Sequence, residues 1–196
     1  MKLSSVCVAA LVCLSGTAQA QIVNIDATNG GGNSVSISDA ACPFTGCFFV
    51  GNQLTLDAGT YTVTPINVLS GGMYTAASRF VPTENKWEWS LWMKIGADPL
   101  SSKIGFGGGH PNTNPPNYQS SAALAFSVAP APFTFTVLSA ATPVKFLWVD
   151  DQFTDNVVGS GISINVAVVP EPGTYALMLA GLAAVGFLAK RRRQPA

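Results

Sequence analysis

The chain has 196 residues, 48% of them hydrophobic and 10% charged, with ten basic residues balancing ten acidic ones. Globular domains carry about 25% charged residues, so this composition excludes a nucleic-acid binder, a disordered acidic tail and a generic cytosolic domain. The balance is a sum over unlike parts. Lys2 precedes an apolar run, Lys190, Arg191, Arg192 and Arg193 cluster near the other end, and Gln21 to Val169 holds five basic against nine acidic residues, a net of −4.

Residues 1–20 have the three-part form of a secretory signal peptide: Lys2 as n-region, Val6 to Leu14 as apolar h-region and Ala18-Gln19-Ala20 as an A-x-A cleavage site. An apolar run of about nine residues is too short to serve instead as a permanent anchor across roughly 30 Å of hydrocarbon. Cleavage after Ala20 by signal peptidase makes Gln21 the new N-terminus and removes Cys7 and Cys13. Residues 21–169 are then the size of one domain.

Cys42 and Cys47 remain, in the turn-like segment Cys42-Pro43-Phe44-Thr45-Gly46-Cys47. Export places them in an oxidising compartment, so a disulfide is expected. Closing so small a loop contributes on the order of 2 kcal/mol in the chain-entropy picture. The alternative, half of a metal site, needs two further soft ligands from a chain with one histidine.

The domain then alternates apolar and polar residues with a period of two, which predicts half-buried strands. Tyr61 and Val63 alternate with Thr60, Thr62 and Thr64. Trp87, Trp89, Leu91, Met93 and Ile95 alternate with Glu88, Ser90, Trp92 and Lys94, predicting one long strand with Trp92 on its polar face, where its ring suits stacking on a sugar. The core placement of Trp92 under a second layer is the plainer alternative. Gly105 to Tyr118 is rich in glycine and proline and reads as a long loop. It holds His110, which lacks the partners for a catalytic triad or a zinc site. Phe133, Phe135 and Val137 mark a further strand, Val144 to Val149 is apolar on both faces as a central strand is, and Ile162, Ile164, Val166 and Val168 alternate with Ser163 and Asn165. Turn residues separate these runs and no helical periodicity of useful length intervenes. The pattern predicts an all-β sandwich or jelly roll.

Between the last two strands, Asp150, Asp151, Asp155 and Asn156 supply hard oxygen ligands of the kind calcium prefers. A solvated turn would use the same residues for their turn geometry. The acidic turn, the succeeding Gly/Ser turn and the final strand are similar to the calcium loop of small bacterial jelly-roll lectins, as is Met93-Lys94-Ile95-Gly96. That resemblance implies a calcium-dependent glycan-binding module, with a loop shorter than the lectin pattern.

The chain continues as Pro170-Glu171-Pro172, an uncharged run from Tyr175 to Ala189, and the cations Lys190 to Arg193. Fifteen residues make about 22 Å of helix, just able to cross a bilayer if Thr174 caps its start and the cations snorkel. Four cations after the run stay cytoplasmic by the positive-inside rule, which puts the domain on the far side of the membrane. This order resembles the PEP-CTERM sorting signal of Gram-negative bacteria, over residues 170–193. The resemblance implies an exosortase substrate: Pro170, Glu171 and Pro172 as recognition residues, the helix 175–189 as a transmembrane segment, and Lys190, Arg191, Arg192 and Arg193 as stop signal. In that family a membrane-embedded protease-transpeptidase reads the tail at the inner membrane, and the protein reaches the cell surface or extracellular matrix among exopolysaccharide. An ordinary single-pass anchor with a proline-rich stalk is the alternative.

The expected function is therefore that of an exported structural or adhesive protein, with no enzyme activity, no obligatory cofactor and no nucleic-acid partner. A glycan-binding module is the second expectation. An exported hydrolase comes third, because the carboxylates Glu84, Glu88 and Asp150 belong to no local catalytic motif.

Overall fold

The computed structural model describes residues 20–28, 48–79, 86–97, 102–106, 118–150 and 156–192. Two four-stranded antiparallel sheets face each other. The first has the order β1 (Gln21–Asp26), β10 (Gly161–Val168), β3 (Gly59–Ile66), β8 (Phe133–Val137). The second has the order β2 (Phe48–Leu56), β9 (Thr142–Asp150), β6 (Ser90–Ile95), β7 (Ser102–Phe106). A small ladder pairs β4 (Ala77–Arg79) with β5 (Lys86–Glu88). The helices are a 3-10 turn at Val68–Ser70, α1 (Ala122–Ser127) and α2 (Pro172–Arg192).

The period-two alternation decides which residues meet between the sheets. Val23, Ile25, Tyr61, Val63, Phe135, Val137, Ile162, Ile164 and Val166 come from the first sheet, and Val50, Leu56, Leu91, Met93, Val144, Phe146 and Trp148 from the second. Burying one such side chain contributes about 1.5 to 3 kcal/mol. Within the first sheet Tyr61 stacks on Phe135 at 5.5 Å between centroids, and Phe135 ties the layers by meeting Phe146 of the second sheet edge-on at 6.2 Å. β9 lies between β2 and β6, and its Val144, Phe146, Leu147, Trp148 and Val149 are each at most 1% exposed, as a run apolar on both faces requires.

The long strand expected over residues 87–95 divides at Trp89. Lys86–Glu88 pairs with β4, whereas Ser90–Ile95 joins the second sheet with a register irregularity between Ser90 and Trp92. The alternation keeps its phase through the break, because Trp89, Leu91 and Met93 all reach the core. α1 has no signature in the sequence pattern: six residues show no helical period, but Ser121 caps the turn by accepting from Leu124 N at 3.3 Å.

A polar network straps the connection after β3 onto the outer face of the first sheet. Asn24 Oδ1 accepts from Met73 N at 3.0 Å and from Ser163 Oγ at 2.7 Å, and Ser163 Oγ accepts from Tyr74 N at 2.9 Å. Tyr74 OH donates to Asp26 Oδ2 at 3.0 Å, while Asp26 Oδ1 accepts from Thr28 N at 2.7 Å. Gly161 permits this closeness, since a Cβ there would collide with the carbonyl oxygen of Ile25 and lie 2.8 Å from the Tyr74 ring. Beyond the strap the outer face carries half-buried Thr60 and Thr62 of β3 opposite exposed Thr136 and Thr134 of β8.

Candidate functional site

The C-terminal tail leaves the sandwich abruptly. Val169 N donates to Thr60 O at 2.8 Å, extending the ladder between β10 and β3 by one residue. Pro170 has no N–H to continue it, so pairing stops there. Exposed Pro170 and Glu171 form the entire link, because α2 begins at Pro172, where a proline suits the first helical turn. The helix thus starts three residues before the expected Tyr175, and Thr174 lies inside it rather than capping it. Lys190, Arg191 and Arg192 occupy its last turn, where cations favour the negative end of the helix dipole. Arg193 lies outside the described residues.

α2 is apolar in every direction. Leu177, Met178, Leu179, Leu182, Val185 and Phe187 are each more than half exposed and, at 100° per residue, surround the helix axis. The expectation of a transmembrane helix over 175–189 needs correction on length: among the described residues no helix is long and apolar enough to cross a membrane. The uncharged part of α2, Pro172 to Ala189, reaches about 27 Å against roughly 30 Å of hydrocarbon.

The residues proposed for ligand binding divide differently. Trp92 is 3% exposed, with the ring of Phe49 edge-on to it at 5.5 Å, so it presents no open face to a sugar. The polar-face expectation fails because the second sheet is apolar on that face too: Trp92 stands opposite Leu147, and Phe49 opposite Val149. Asn156, expected as a calcium ligand, is 7% exposed and donates from Nδ2 to Ala27 O at 2.8 Å. Its amide clasps the end of β1. Asp150 ends β9 opposite Phe48. Asp151 and Asp155 lie outside the described residues, as do residues 1–19, over which a signal peptide is expected, and Cys42, Cys47, Glu84 and His110. Among the described residues no group of three or more His, Cys, Asp or Glu is placed to hold a metal. Glu88 is 0% exposed and accepts from Ser90 Oγ at 3.4 Å.

A closed β-sandwich joined by two residues to an apolar helix with a basic end defines a domain that carries its own delivery signal. Residues 168–193 match the PEP-CTERM protein-sorting motif. The chain therefore carries the mark of an exported protein processed through exosortase, which crosses the inner membrane and reaches the cell surface. No curated protein matches the chain. Among solved structures it is similar to the PA14 domain of the antifreeze protein MpAFP, at 14% identity over 78% of this chain and 68% of that one, with a TM-score of 0.28.

Proposed function

We propose that the chain is delivered as an inner-membrane precursor and cut near Pro170 to Gly173, and that its sandwich then acts at the cell surface or in the extracellular matrix as a structural or adhesive, non-catalytic protein. The observation that carries this reading is the exposed Pro170-Glu171 link between the last paired residue, Val169, and an apolar helix with a basic end. An exposed link with prolines at its start and just beyond resists regular pairing and stays open to a protease groove. Until cleavage, the apolar α2 and its basic end keep the precursor at the inner membrane. Signal peptidase removes the N-terminal segment.

The test replaces Pro170, Glu171 and Pro172 together by alanine in cells with and without an active exosortase. The native chain yields a shortened product only where the enzyme is present, and the variant stays full length in the membrane. A variant processed like the native chain would refute the reading.

A further inference from the structure

Two pentapeptides of the first sheet are near-copies: Gly59-Thr60-Tyr61-Thr62-Val63 in β3 and Phe133-Thr134-Phe135-Thr136-Val137 in β8. They lie antiparallel, with Thr60 opposite Thr136, Tyr61 opposite Phe135 and Thr62 opposite Thr134. On the core side the two central rings stack at 5.5 Å, and on the outer side the hydroxyls of Thr60 and Thr136 are 3.4 Å apart. The fold thus displays the pairing this segment makes with its own kind.

β8 ends its sheet, and among the described residues β3 is the strand it pairs with. Among the described residues nothing pairs with its far side: Thr134 and Thr136 are exposed, Ala131 and Pro132 before it are exposed, and Leu138 after it is 88% exposed. The other end of the sheet is engaged, because Asn52 Nδ2 of β2 donates to the carbonyl oxygen of Asn24 in β1. Sheets guard a free edge with charges, most often lysine. Here no Lys, Arg, Asp or Glu occurs between Lys103 and Lys145, so neither β8 nor its flanks carry a charged guard.

We propose that the open edge of β8 pairs with β8 of a second copy of this chain, antiparallel about Phe135, joining the two first sheets into one continuous sheet. In that register Thr134 stands opposite Thr136 of the second copy and Phe133 opposite its Val137, so threonines meet threonines outside and apolar groups meet inside, as they do between β3 and β8. Both copies use the same strand, so the contact closes on itself as a two-fold dimer and does not propagate into fibres. The Pro132 residues of the two copies end the pairing at its two equivalent ends, since proline offers no N–H.

The register gives the test. One variant carries Thr134→Lys with Thr136→Lys and the other Thr134→Glu with Thr136→Glu; both positions are exposed, and unchanged circular dichroism and melting show that each variant is folded. Sedimentation of the full chain in density-matched detergent is expected to show a native dimer. Like charges directly opposite destabilise a pair, so each variant alone should dissociate at a concentration about tenfold higher or more. Mixing the two should restore the dimer. A native chain monomeric up to about 0.1 mM, a lysine variant that dimerises like the native chain through α2 or another surface, or a mixture that stays monomeric would each overturn the proposal.

Discussion

The backbone N–H of Val169 donates to the carbonyl oxygen of Thr60 at 2.8 Å, one residue before Pro170, so the folded sandwich ends where the sorting motif begins. A protease that binds its substrate as an added strand needs free backbone on both sides of the motif. Upstream of Pro170 that backbone is locked into β10, and reading it requires the end of the strand to fray. Inserting Gly-Ser-Gly-Ser between Val169 and Pro170 removes that step. Losing one hydrogen bond costs about 1 kcal/mol net, so processing should quicken about fivefold, as measured by pulse-chase. An unchanged rate would mean that the enzyme reads only from Pro170 onward.

Phe146 is 0% exposed and meets Phe135 edge-on across the two sheets. Replacing it with alanine should cost about 3 to 5 kcal/mol, whereas Ile164→Val, at an equally buried position, should cost about 0.5 to 1.5 kcal/mol. Leu69, 96% exposed on the 3-10 turn, serves as the contrast, and Leu69→Ala should change stability by less than about 0.5 kcal/mol. Urea midpoints rank the three. A Phe146→Ala loss as small as that of Ile164→Val would contradict the packed interface between the sheets.

The core was legible because one face of each strand is apolar at every second position. Tyr61, Val63, Phe135, Val137, Ile162, Ile164 and Val166 all reach the core that their alternation predicts. The alternation failed at Trp92, because it reports amphipathic character only where one face is wet, and β6 lies beside the doubly apolar β9. The division of the strand at Trp89 left no mark on the pattern, since the chain changes sheets without changing phase. The contact of Asn156 left no local mark for a different reason: its amide donates to Ala27 O, and that partner lies 129 positions away. The tail was the most legible part, because proline, an uncharged run and a cation cluster act locally. The start of α2 was misplaced by three residues, since Pro172 reads as a helix breaker and as a first helical residue alike.

Tyr74 donates its hydroxyl to Asp26 Oδ2 at 3.0 Å. Burial, with the hydrogen bond and charge of Asp26 adding to it, pushes its ionisation up to about 12. Tyr61 is raised as well, chiefly by burial. An unfolded tyrosine ionises near about 10. Above that value the unfolded chain has released a proton that the folded chain still holds, so stability is full below about pH 10 and falls as pH rises toward about 12. Tyr74→Phe should lower stability at neutral pH by about 1 kcal/mol and flatten the alkaline decline. Melting temperatures across this range report both effects, and a variant with the native slope would show that Tyr74 does not carry it.

Asn156 separates a clasp from a ligand. Its Nδ2 donates to Ala27 O at 2.8 Å, while Ala27 N donates to Ser160 O at 3.0 Å, so both backbone groups of Ala27 are satisfied from the same turn. An aspartate in its place has no hydrogen to give and sets a carboxylate against a carbonyl oxygen. Asn156→Asp should therefore destabilise the domain by about 1 to 3 kcal/mol, the penalty for a buried group left unsatisfied. A calcium ligand behaves in the opposite way, because a carboxylate binds the ion at least as well as an amide oxygen does. Thermal melting of native and variant chains, each with millimolar calcium and with a chelator, discriminates the two. A lower melting temperature for the variant in both conditions supports the clasp, and a variant stabilised above the native chain by calcium would overturn it.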